Sequence, residues 1–353
     1  MKILVTGTNN YHAKRDTHLS TRSKYRLVTA TTGLVAALED MGHEVDQRYV
    51  TPGEDLSAYD KVFVTYFDVL GGMQPGGYGV WWTFQQRKDA IVVIDDWATP
   101  KRLMKHYQKT WEPEKLHEAL FREYMVGSQH KESRFAAEDE ELQKALKEGF
   151  SENIFDTRKI LYCAFNKFNV SKIFDYPHDA YSFNPEAYVP SPQDRLDEMG
   201  LERKERERKW VIAGIGGLPT QKACKFKDIF ESPVEVYGRE TIDKDATLAK
   251  EPEIIQAYSG ATFVFYPDQG NFGANWWRNR PRQCADMGAV LFIQNDEEAA
   301  LFGPSYQGLT IEGLEAMNLN AISYLAECQK EDYYKSNPLD KNAVKASLQK
   351  VLS

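Results

Sequence analysis

A pair of aspartates, Asp95 and Asp96, follows the continuous apolar run AIVVI at residues 90–94. A run of that kind reads as a strand covered on both faces, and its carboxyl end is where open α/β sheets hold ligands. A carboxylate there can take the proton of an attacking hydroxyl, as a general base does. An aspartate that only accepts backbone N–H groups at a strand-to-helix turn gives the same sequence, so both readings stand on the residues alone. In the second half, Gly214, Gly216 and Gly217 follow the apolar stretch 210–213 and precede Lys222 and Lys225. Such glycines let backbone amides approach a phosphate while the ammonium groups neutralise it. The spacing is neither GxGxxG nor a P-loop, and a plain tight turn is the competing reading. The densest segment is PDQGNFGANWWRNRPRQCADMG, residues 267–288. Arg278, Arg280 and Arg282 could set their guanidinium groups on one diphosphate, with Asp268, Asn271 and Gln283 for sugar hydroxyls. A polar surface loop is the alternative, and Trp276 and Trp277 read as core or interface.

Other chemistries find less support. There is no HExxH, the seven histidines are scattered, and the D-x-D of Asp243 and Asp245 lies in a polar stretch that reads as a solvated turn. No metal site is therefore assigned. Cys163, Cys224, Cys284 and Cys328 lack paired spacing and read as reduced thiols. Forty-four Lys and Arg against 52 Asp and Glu leave a net charge of −8, which disfavours broad contact with a polyanion. Nucleic-acid contact would have to be local, through patches such as Lys101, Arg102, Lys105, His106 and Lys109, residues 203–209, or the arginines near 280. The first two also read as solvated helix faces. No run of 18 apolar residues exists and MKILVTGTNN enters a strand directly, so a cytoplasmic protein without a membrane segment is expected.

Positioning these residues takes two domains, because 353 residues exceed one ordinary core. Strands are expected at residues 2–6, 43–50, 61–66, 90–94, 160–165 and 172–176, with a helix from Leu27 to its end at Gly42. Residues 8–24 read as a mobile loop, and glycines from Gly71 and Gly72 onward follow the third strand. Thr99 and Pro100 mark a helix start, and the charged region at about 100–155 reads as a helical insertion. The first domain thus spans 1–176. Residues 177–209, with four prolines and the run ERKERERK, are expected to form a linker. A second domain at 210–330 carries strands at 210–213, 234–237, 262–266 and 289–293, the alternation of a doubly wound parallel sheet. Helices at 317–327 and 341–352 follow, the segment 331–353 being free to return to the first domain.

The order of pieces resembles the T-even phage DNA β-glucosyltransferases, along most of the chain but at low identity. The matching segments are MKILVTG, EDMGHEVD, the third strand with Gly71 and Gly72, VVIDDWATP, IAGIGGLPTQK, VEVYGRE, and FYPDQGNF through RQCADMGAVLF. The resemblance implies an α/β, GT-B fold, two Rossmann-like domains facing a central cleft. It places Asp96 as the catalytic base, with Asp95 beside it, and Gly216 and Gly217 at the donor diphosphate. Lys222 or Lys225 replaces loop arginines, which keeps charge but loses bidentate geometry. Asp268 falls on the donor-sugar aspartate, with Asn271 nearby, and Arg280 on a phosphate-binding arginine. Gln283 replaces a glutamate that holds the ribose, and an early glutamate near the acceptor lacks a counterpart at 21–32.

These readings converge on a transferase acting in an inverting displacement from a UDP-sugar co-substrate to the hydroxymethyl group of a modified pyrimidine in double-stranded phage DNA. No cofactor is obligatory, Mg²⁺ assisting product release only as the resemblance implies, and a monomer is expected. Gly71, Gly72, Lys101, Arg102 and Lys105 are the acceptor-side candidates, along with residues 8–24. A small-molecule, nucleotide or glycan acceptor is the rival within the same class. A non-catalytic nucleotide-binding module is the rival outside it.

Overall fold

A computed structural model describes residues 1–7, 30–48, 50–51, 53–65, 82–84, 86–94, 159–164, 180–213, 229–238, 247–248, 251–267 and 279–353. The chain divides into two compact units, Met1–Val189 with Asp340–Ser353, and Pro190–Leu339. Each is built on its own wholly parallel sheet.

The first unit carries strands β1 (Lys2–Gly7), β2 (Glu44–Gln47), β3 (Lys61–Thr65), β4 (Ile91–Ile94), β5 (Ile160–Cys163) and β6 (Ala180–Phe183), in the spatial order β2-β1-β3-β4-β5-β6. Ile3, Leu4, Val62, Phe63, Val92, Val93, Ile160 and Leu161 are all fully buried, because both faces of a parallel sheet are covered. Helix α1 (Ala30–Asp40) buries Leu34, Ala37 and Leu38. It stops in a left-handed Gly42 (φ 80°), where the Gly42 amide bonds Glu39 O and the His43 amide bonds Leu38 O. Gly33 in its first turns lies against Pro185 so closely that a Cβ there would sit 2.8 Å from the Pro185 Cβ and carbonyl oxygen. The chain's last helix (Lys341–Leu352) belongs to this unit. It buries Val344, Leu348, Val351 and Leu352, and covers the edge strand β6, with the Ser347 hydroxyl donating to Ser182 O. Lys345 pairs with Asp40 at 2.8 Å, and the Lys159 ammonium donates to Val351 O.

The second unit holds β7 (Glu207–Ala213), β8 (Val234–Gly238), β9 (Thr247–Leu248), β10 (Ala261–Tyr266) and β11 (Val290–Ile293), ordered β11-β10-β7-β8-β9. Its core centres on Trp210, stacked on Phe263 at 4.7 Å between ring centroids and tilted on Phe230 at 4.8 Å. Glu315 ties the edge of this core. Its carboxylate accepts the Trp210 indole N–H (2.9 Å) and the backbone amides of Glu231 and Ser232. On the outer edge of β11, the buried side chain of Gln329 accepts from the Leu291 amide (2.8 Å) and donates to its carbonyl (3.0 Å), standing in for a neighbouring strand.

The segment 177–209 departs from the expected linker. It contains β6, a helical turn at Pro185–Ala187, helix α2 (Pro192–Met199) with a Ser191–Asp194 capping box, and the first residues of β7. Pro185 and Pro192 each open a helical turn instead of spacing domains. The charge run enters a strand because Lys209, 8% exposed, is neutralised by Glu207 (3.0 Å) and Glu235 (2.8 Å). The expected strand at 172–176, the loop at 8–24 and the insertion at 100–155 lie outside the described residues.

Candidate functional site

The strand order of the second unit reverses between β7 and β10: the chain runs outward from β7 through β8 and β9, then returns to the other side for β10 and β11. At such a reversal, the loops leaving the two strands part to opposite faces and open a crevice at their carboxyl ends. Phe265 pairs with Ile212 there, so Ala213 and Tyr266 end adjacent strands at the same edge. In sequence, Ala213 is followed by Gly214 and Tyr266 by Pro267 and Asp268.

Arg280 begins helix α4 (Arg280–Met287), which follows that edge in the chain; α3 is the helix Glu251–Gly260 leading into β10. The Arg280 guanidinium carbon lies 4.3 Å from the centroid of the Tyr266 ring, a cation–π contact, and the Tyr258 phenol nearby favours its charge. Tyr258 and Tyr266 are 1% and 2% exposed, so both partners are fixed by packing. Arg280 is half-buried as a residue, with its Nη1 fully covered. Burial works against its charge, but Tyr258, Tyr266 and Cys284 around it outweigh that and hold its pKa above the ordinary value. Burial also pushes the Cys284 thiol well up, so it is no thiolate nucleophile at neutral pH. A guanidinium stacked on a ring face can meet an anion in a fixed orientation.

Gln283, 6% exposed, sits three residues on and therefore shares a helix face with Arg280. Arg282 does not. Two residues on, it points away and pairs with Asp286 at 3.6 Å, whose other oxygen accepts the Tyr334 hydroxyl at 2.5 Å. The expectation that Arg280 and Arg282 share one diphosphate is thereby corrected, since helical geometry sets them apart. Gly288 closes α4 in the left-handed region (φ 73°), and Arg206 donates to Met287 O at that end.

In the first unit, β4 lies between β3 and β5 and ends at Ile94, paired with Tyr162. Asp95, Asp96, Gly71, Gly72, Lys101, Arg102 and Lys105 lie outside the described residues, as do Gly216, Gly217, Lys222, Lys225, Asp268 and Asn271. Among the described residues, no group of three His, Cys, Asp or Glu could hold a metal ion, and no helix is long and apolar enough to cross a membrane. Tyr258 and Tyr266 are the site residues that sequence reading missed. Tyr266 was visible as the end of an apolar strand, whereas nothing in the periodicity of α3 marks Tyr258.

Among solved structures, the chain is similar to T4 phage BGT in complex with its UDP-glucose substrate, at 12% identity and a TM-score of 0.59 over 100% of both chains. It is also similar to an α1,3-fucosyltransferase with GDP-fucose, at 11% identity and a TM-score of 0.43 over 100% of this chain and 90% of that one. No protein-family model matches the sequence, and no curated protein matches it. The two parallel sheets and the first of these likenesses give the chain a two-domain, Rossmann-like GT-B fold.

Proposed function

We propose that this chain is a glycosyltransferase that moves a sugar from a UDP-sugar to the hydroxymethyl group of 5-hydroxymethylcytosine or 5-hydroxymethyluracil in phage DNA. What carries the reading is the full-length likeness to T4 phage BGT with UDP-glucose, joined to the Arg280 receptor at the strand reversal. In this scheme Asp96, with Asp95 beside it, removes the acceptor hydroxyl proton as the oxygen bonds the anomeric carbon from the face opposite the diphosphate. The bond to the diphosphate breaks and its electron pair leaves with UDP, stabilised by Arg280, Lys222, Lys225 and the amides at Gly216 and Gly217. Asp268, Asn271 and Gln283 receive the sugar hydroxyls. Mg²⁺ would serve product release, and no step passes through it. A base in duplex DNA must leave the stack to react, and Gly71, Gly72, Lys101, Arg102 and Lys105 would meet the DNA.

The test incubates the protein with UDP-glucose, UDP-arabinose and related donors and hydroxymethylated DNA, reading products by nucleoside mass spectrometry. A sugar-bearing nucleoside that Asp96→Asn abolishes while UDP still binds is the expected result; UDP binding without turnover on any acceptor would leave a binding module. The net charge of −8 favours a second reading, a small-molecule or glycan acceptor. Acceptor binding that falls steeply with added salt supports DNA, and salt-independent binding supports the second reading.

A further inference from the structure

We propose that Tyr258 and Tyr266 are positioning residues that hold the Arg280 guanidinium in the plane and place needed to receive the donor's phosphates. The inference rests on the reading of Arg280 as a phosphate ligand of a nucleotide sugar. Tyr266 ends β10 at the reversal in strand order, and its ring lies under the guanidinium at 4.3 Å. Tyr258 comes from the helix that leads into the same strand, and its phenol interacts electrostatically with the same guanidinium. Both tyrosines are immobilised in the core, at 1% and 2% exposure. A free arginine side chain loses rotamer freedom on meeting an anion, which weakens binding. Here the Tyr266 ring has already restricted it by setting the tilt of the plane, and the Tyr258 phenol nearby favours its charge. The diphosphate then meets a fork in fixed orientation, which favours bidentate contact. The rings would touch no substrate atom and act only through Arg280. Their loss should therefore weaken recognition of phosphate and leave recognition of the uracil and ribose intact.

The test is calorimetric titration of the full chain with UDP and, separately, with uridine, which lacks the phosphates. Tyr258→Phe, which removes the phenol oxygen near the guanidinium, should lower UDP affinity by roughly threefold, with uridine affinity unchanged. Adding Arg280→Lys to Tyr258→Phe should cost far less than Arg280→Lys costs alone, because both changes act through one guanidinium. Tyr266→Phe should keep UDP affinity because it keeps the ring face, and Tyr266→Leu should lose it. Wild-type UDP affinity in Tyr258→Phe and Tyr266→Leu, beside a clear loss in Arg280→Lys, would overturn the inference while leaving Arg280 as a phosphate ligand. Wild-type UDP affinity in Arg280→Ala would overturn that parent reading, and the inference with it. If thermal melting shows Tyr258→Phe to be unfolded, the Tyr266→Phe and Tyr266→Leu pair decides.

Discussion

Arg280 was legible because arginines crowd one short stretch, but its role depends on residues that no local pattern links to it. Tyr258 lies on a preceding helix, and only the return of the chain through β10 brings it near enough to act on the guanidinium's charge. Arg282 shows the converse: its nearness in sequence suggested a shared ligand, and the helix turned it toward Asp286. Glu315 was equally hidden, although it accepts three donors from distant parts of the chain. Burial pushes its carboxyl up, but the Ser232 and Glu231 amides and the Trp210 indole outweigh this and hold it below the ordinary 4.5. The unfolded carboxylate therefore takes up its proton first as pH falls. The stabilisation is complete above about pH 4.5 and disappears as pH drops through the lower native value. Glu315→Gln should cost about 1 kcal/mol near neutrality, a modest figure because the group is partly solvated. The difference in melting temperature from the wild type should shrink below pH 4.5, which a melting series across pH 3–7 would check.

At the scale of elements, the buried strands announce themselves. IVVI, ILYC and ATFVFY carry no charged residue, and the one threonine, Thr262, has its hydroxyl bonded to Glu207 O, as strands covered on both faces require. What stayed hidden are strands whose partners supply the missing signal. AYSF is a short edge strand covered by a helix far along the chain, and β7 begins with charges, of which Lys209 is neutralised by Glu235 on β8 as well as by Glu207. Glycine in α1 likewise has a reason outside its own helix. Gly33→Ala would raise helix propensity, by about 1 kcal/mol, yet drive a methyl group against Pro185 backbone that cannot swing aside. Overpacking of this kind costs about 1–3 kcal/mol, so the net expectation is destabilisation, with Gly33→Val worse than Gly33→Ala in urea unfolding.

At the scale of the molecule, the first unit is assembled from both ends of the chain, with the whole second unit lying between them in sequence. Removing residues 340–353 should uncover β6 and the apolar seat of Val344, Leu348, Val351 and Leu352. Limited proteolysis should then cut faster within the first unit than within the second, and equal protection of both would refute this dependence. The same arrangement has a temporal side. On the ribosome, β1 is made before the second unit, but its own unit stays unfinished until the helix Lys341–Leu352 clears the exit tunnel, whereas the intervening unit is fully synthesised and can mature beforehand. A nascent molecule would thus own a finished second unit before it owns a finished first one.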